Sequence, residues 1–245
     1  MMQNDHHLNR LSIRFRRISA LIALLLLIPA PTIGTVLAMH LEITRGTWIG
    51  QGVYGLSKVW IVVLPALWLL VVERRKPAWS RPRKGGLGIG LLLGLVISAL
   101  ITAAYMTVGE ALIDPETVRQ AAVKNGIGTL ERYIALSVGI CFVNALIEEY
   151  VWRWFVFEKW AVFTGKHLAV VLAALSFTLH HVFALSAQFG VIATFVGSIG
   201  IFIGGAVWSW CYMRYESIWP GYLSHVLVDI AAMVIGWHMI FVVAS

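Results

Sequence analysis

Glu148, Glu149 and Arg153 stand inside an otherwise apolar and aromatic stretch, NALIEEYVWRWFVF, at 144–157. A charge at the centre of a membrane helix costs roughly 2.5–3.5 kcal/mol, so three unpaired charges in one span would cost about 8–10 kcal/mol. Such residues face a bundle interior or a wet cavity and find partners there. Glu149 and Arg153 are spaced i,i+4, share a helix face, and can lower each other's cost as an ion pair. Neighbours on a helix point about 100° apart, so Glu148 turns away from that pair, onto the face of Asn144. It is free to meet another helix.

Two later stretches supply partners. SFTLHHVFAL carries Phe177, His180 and His181, and PGYLSHVLVDI places His225 and Asp229 on one face, again at i,i+4. Counting about 1.5 Å per residue from the polar ends of each stretch brings Glu148, His181 and His225 to comparable depths. A carboxylate beside histidines can activate water, because a desolvated glutamate that stays ionised is a stronger proton acceptor. A second histidine with a neighbouring carboxyl group can face the oxygen of a tetrahedral intermediate, where placed donors are worth a few kcal/mol. This constellation suits peptide-bond hydrolysis. No serine nucleophile motif and no HExxH is evident, and Cys141 and Cys211 lie away from these residues in sequence.

Other readings compete. Glu149–Arg153 also reads as a pair that fixes helix geometry without chemistry. His180 and His238 read as interhelical hydrogen-bonders. Glutamate and histidine also make the proton relays of transporters, a role that would show as pH-gradient-dependent flux without a cleaved product.

These residues need membrane helices to hold them. The chain of 245 residues is 59% hydrophobic and only 13% charged, whereas soluble domains average roughly 45–50% and 25%. The fold class is therefore all-α, a polytopic transmembrane bundle. About seven apolar stretches are long enough to span, near 18–39, 53–72, 86–108, 133–157, 167–187, 190–212 and 217–243. They form one membrane domain, with N-terminal spans and connections in 1–132 and the chemistry in a helical core over 133–245. The net charge of +7 sits in the connections, which points to topology and a lipid bilayer partner and not to nucleic acid.

Arg10, Arg14, Arg16 and Arg17 share a side with the connection ERRKPAWSRPRKGG, which holds Arg74, Arg75, Lys76, Arg81, Arg83 and Lys84. The positive-inside rule puts that side, and the N-terminus, in the cytoplasm. The first apolar run resembles a signal peptide, yet it continues through TIGTVLAM and reads as an uncleaved span. Trp152, Trp154, Trp160, Trp208, Trp210 and Trp219 read as an inner aromatic belt. Gly200 and Gly204 fit a small-xxx-small helix contact. DPETVRQAAVKNG predicts a short outer helix, with Asp114 as N-cap, Pro115 at its first position and Gly126 as its stop.

In order along successive spans, EEYVWR fits EExxxR, FTLHH fits FxxxH ending at His181, and HVLVD fits HxxxN/D. Over roughly 130–235 this resembles the CPBP family, the CAAX prenyl protease and bacteriocin-processing (Abi) intramembrane proteases. The resemblance implies that Glu148 and His181 activate water, that Glu149 and Arg153 support the site, and that His225 stabilises the oxyanion with Asp229. Asp229 stands where eukaryotic CAAX proteases carry Asn. The resemblance implies either a glutamate-dependent reaction with no metal cofactor or a zinc site on Glu148, His181, His225 and Asp229. It implies a peptide or protein substrate at the membrane, such as a prenylated tail or a leader peptide, and a multi-pass place in a bacterial plasma (inner) membrane. A non-catalytic scaffold or a bacteriocin self-immunity protein is the alternative.

Overall fold

The computed structural model describes residues 2–75 and 80–243, with side chains from Ile13 onward apart from Glu110. Lys76 and the Arg10 side chain, which enter the charge argument above, lie outside the described residues. Among the described residues every regular element is helical.

We number the main helices along the chain: α1 Ile13–Met39, α2 Trp48–Val72, α3 Leu87–Gly109, α4 Pro115–Lys124, α5 130–164, α6 166–186, α7 Val191–Tyr215 and α8 Trp219–Val243. Among the described residues six helical runs are long and apolar enough to cross a membrane, counting 130–186 as one, and its break at Gly165 makes the count six to seven, as a multi-pass membrane protein of about seven spans requires. α5 and α6 form one helical run broken at Gly165, whose φ of 74° and ψ of 170° are not helical. The break reverses the chain. Trp160 donates from its indole N–H to Ser176 Oγ at 3.0 Å, although 16 residues of continuous helix would separate them by about 24 Å.

The ends of the spans sort as the charge pattern requires. Arg16, Arg75, Lys166 and Glu216 line one polar pocket, so the N-terminal segment, the basic connection and the α5–α6 and α7–α8 turns share one end of the bundle. Lys159 pairs there with Glu73, and the Tyr212 hydroxyl donates to Glu158 at 2.7 Å. At the other end α4 and the start of α5 pack on the end of α8, around Ala122, Tyr133 and Ile240. Asp114 caps α4 by accepting from the N–H groups of Glu116 and Thr117, and Gly126 stops it at φ +75°, as the turn residues predict.

The bundle is apolar outside and polar within. Leu92, Leu95, Leu100, Ile192 and Phe195 face outward, while Glu148, Glu149, Arg153 and His225 are buried. α3 backs the core through Gly90 and Gly94, where added Cβ atoms would strike the Pro220 carbonyl and the Ser224 Cα of α8. The expected contact through Gly200 and Gly204 differs. Gly200 faces open space and Gly204 faces the ring of Trp208, while Gly205 meets Ala174 of α6.

Candidate active site

α5 is not a regular α-helix where it carries the acids. Glu149–Phe157 has the wider π hydrogen-bond pattern, a geometry that is uncommon and concentrates at functional sites. Arg153 Nε lies 3.4 Å from Glu149 Oε1, and both side chains are fully buried. The arginine is enclosed by aromatic rings, with its guanidinium carbon 4.5 Å from the Phe177 centroid and 5.0 Å from that of Trp208. Its one hydrogen bond among the described residues is long, from Nη2 to the Gly205 carbonyl at 3.5 Å. Gly221 makes room for Glu149, since a Cβ there would stand 2.5 Å from Oε2.

The i,i+4 spacing predicts a Glu149–Arg153 pair, and the structure adds His225 to it. His225 Nδ1 lies 3.1 Å from Glu149 Oε1. Its Nε2 lies 3.6 Å from Glu148 Oε2 and 3.7 Å from Asp229 Oδ1. The two adjacent acids do point apart, yet one imidazole is long enough to touch both. Its edge facing Glu149 is a donor, because an ionised carboxylate only accepts.

His181 approaches Glu148 from α6, with Nε2 4.0 Å from Oε1. Its Nδ1 lies 2.9 Å from the Phe177 carbonyl. A carbonyl cannot donate, so Nδ1 carries the proton and a neutral His181 turns the lone pair of Nε2 toward Glu148. Asn144, one turn before Glu148 on the same face, lies close enough to act on its carboxylate. Thus α5, α6 and α8 bring Glu148, Glu149, Arg153, His181, His225 and Asp229 into one buried cluster.

Several members escape the sequence motifs. His180, which reads as an interhelical hydrogen-bonder, instead stacks on Trp152 at 5.3 Å and 12°, and its Nδ1 has no hydrogen-bond partner among the described residues. Trp208 stacks on His225 at 3.7 Å and 15°. Trp152 and Trp208 are therefore buried walls of the site, not belt residues. Their faces of α5 and α7 turn inward, which a tryptophan's preference for interfaces does not reveal. Lys58 of α2, half-buried within a span, is close enough for its charge to act on Glu148, His180 and His181. An intramembrane lysine was itself the available signal.

Ligand atoms of Glu148, His180 and His181 all lie within 4.8 Å of one another, close enough to share a cation. This donor set overlaps the expected zinc set at Glu148 and His181 and brings in His180. The cluster also carries three carboxylates against one guanidinium, so positive charge from protons or a divalent cation suits it.

Residues 130–231 match the family model described as type II CAAX prenyl endopeptidase Rce1-like. No curated protein and no solved structure gives a significant match.

Proposed function

We propose, from the match of residues 130–231 to the type II CAAX prenyl endopeptidase family, that the chain is an intramembrane endopeptidase of the CPBP or CAAX-protease family and that its cluster of ionisable residues performs the reaction. The protein hydrolyses a peptide bond of a membrane-associated substrate. The observation that carries this reading is the 4.0 Å gap between Glu148 Oε1 and His181 Nε2. Both atoms are acceptors, and nothing but a proton donor or a cation belongs between two acceptors. A water placed about 2.8 Å from each can direct one hydrogen to either, leaving a lone pair free for a carbonyl carbon.

In the proposed reaction the water oxygen bonds to the scissile carbonyl carbon and its proton passes to Glu148. The carbonyl π electrons move to oxygen, and a doubly protonated His225, which already donates through Nδ1 to Glu149, turns its Nε2–H to that oxyanion. Glu149 holds the opposite edge of the ring through Nδ1, and Arg153 holds Glu149. Asp229 lies 3.7 Å from Nε2 and assists at the same edge. Collapse breaks the C–N bond, and Glu148 returns the proton to the leaving amine. Where a zinc ion is bound, Glu148, His180 and His181 would hold it, and it would polarise water or carbonyl as a Lewis acid. The substrate reading is a prenylated tail or a leader peptide, entering from the cytoplasmic side of a bacterial inner membrane.

The test compares purified protein in detergent or liposomes with Glu148→Gln, on a prenylated tail peptide and a leader-peptide pool, with and without a chelator. Wild type should cleave, and Glu148→Gln should lose roughly 10²–10⁴-fold in kcat while keeping its helical content and melting temperature. Cleavage that survives the chelator assigns the work to glutamate alone, and cleavage restored by zinc assigns it to a metal. A folded Glu148→Gln protein that cleaves as wild type does would overturn the proposal.

A further inference from the structure

The chemistry assigned to His225 requires its ring to stay in one plane. One nitrogen must keep Glu149 at 3.1 Å while the other keeps Glu148 at 3.6 Å. Neither carboxylate can ensure this, because hydrogen bonds at the ring edges leave the faces uncovered and the χ2 torsion of histidine is soft. One face is covered by Trp208 of α7, with the rings 3.7 Å apart and 15° from parallel. Phe177 adds an edge contact at 6.3 Å and 86°.

Trp208 is itself fixed by its surroundings. Its indole N–H donates to Ser224 Oγ at 3.1 Å, and Ser224 is the residue before His225 and fully buried. The six-membered ring lies over Gly204, where a Cβ would meet its tip at 3.3 Å, and its Cβ lies beside Gly221, at 3.5 Å from a Cβ built there. Gly204 thus leaves room for the indole ring, and Gly221 packs beside its base. Trp208 also borders the Arg153 guanidinium, so one side chain braces both partners of Glu149. Only 4% of it is exposed, so a peptide in the site has little of it to touch.

We infer that Trp208 is a positioning residue that clamps the His225 imidazole in the plane its reaction needs, with Ser224 setting the angle of the indole. The inference rests on the proposed protease reading for its effect on rate, and on geometry alone for its effect on the ring. Trp208→Leu removes the stacking face. A ring misplaced by about 1 Å can cost on the order of 10²-fold in rate, so kcat should fall by about that factor with KM little changed. Trp208→Phe keeps a face to stack on and should recover most of the rate. Ser224→Ala removes one hydroxyl and should lower kcat less than Trp208→Leu.

The second readout does not need activity. The His225 Cε1–H signal, in protein carrying 13C-labelled histidine and identified by its loss in His225→Gln, should sit upfield in wild type because an indole face covers it. Loss of the indole itself moves it downfield in Trp208→Leu, so the clamp is read from 13C relaxation at Cε1, whose order parameter should fall in Trp208→Leu and partly so in Ser224→Ala. Both effects together, in rate and in ring order, support the clamp. A ring loosened in a series where wild type cleaves no peptide upholds the clamp and overturns the protease reading. Should Trp208→Leu not fold, Trp208→Phe and Ser224→Ala decide by the same two readouts. A His225 ring as ordered in every folded variant as in wild type overturns the clamp, whatever happens to kcat.

Discussion

Two glutamate–arginine pairs occupy opposite surroundings in this molecule. On α4, Arg119 grips Glu116 through two 2.7 Å hydrogen bonds, with both side chains about two-fifths exposed. On α5, Arg153 Nε stands 3.4 Å from Glu149 with both side chains fully buried, and Glu149 Oε2 and Arg153 Nη1 lack hydrogen-bond partners among the described residues. The better geometry lies in water, where solvent screens such a pair and it adds little to stability. The poorer geometry lies where desolvation costs most and Coulomb attraction often fails to repay it. Folding free energy therefore gives no reason for the buried pair. Its reason is the contact Glu149 makes next, with His225.

The contrast is broken most severely by removing one buried partner. Arg153→Ala leaves Glu149 buried without its guanidinium partner, and should cost about 3–5 kcal/mol, read as a fall in the thermal or detergent denaturation midpoint. Replacing both partners by apolar residues, Glu149→Leu with Arg153→Met, should recover most of that stability, since buried pairs exchanged for packed hydrophobes are often neutral or better. Cleavage should stay absent in the double variant. A double variant as active as wild type would show that cleavage does not need the pair.

A subtler break keeps both charges and moves one. Gly221→Ala puts a Cβ 2.5 Å from Glu149 Oε2, against open space for Gly200→Ala. The first should cost about 1–3 kcal/mol, the usual range for overpacking, and should lower kcat by shifting Glu149. Gly200→Ala should change neither. Equal behaviour of the two alanines in melting and cleavage assays would remove the close fit from the account.

The sequence carried the parts of this site that periodicity and transfer cost control. Charges in lipid-facing sequence must turn inward, so Glu148, Glu149, Arg153, His225 and Asp229 announced themselves, and helix counting brought three spans to one depth. What it did not carry depends on which face of an all-apolar helix turns inward. Trp208 has no charged residue one turn away to mark its face, whereas Trp152 stands one turn after Glu148, a spacing that its reading as an interfacial tryptophan left unused. The π turn that opens α5 at Glu149 likewise leaves no trace in a run where every residue is compatible with an ordinary helix. Seven spans and the α4 cap were legible because length, Pro115, Asp114 and Gly126 each act locally. The contact through Gly90 and Gly94 needed knowledge of which helix lies behind them.

The exposed pair sharpens the comparison from the other side. Glu116→Gln should leave the global melting midpoint and cleavage as they were, because solvent screens the pair and α4 touches none of the buried cluster.

Its remaining effect is local and set by pH. The hydrogen bonds from Arg119 and then Gln120 hold the Glu116 carboxyl down at about 2, against an ordinary value of 4.5. Thr117, through its hydroxyl first, lowers Asp114 at the cap. A carboxyl lowered in the folded helix binds its proton more readily once the helix opens. Its contribution is therefore complete above the unfolded value and is lost as pH falls from about 4.5 through about 2. Amide exchange in α4, corrected for the intrinsic pH dependence of exchange, should accelerate across that window while the amides of α3 and α8 hold. The acceleration should be smaller in Glu116→Gln, which has lost this carboxyl already. An α4 that keeps its protection down to pH 2 would mean that packing on Tyr133 and Ile240, not its charges, holds the helix in place.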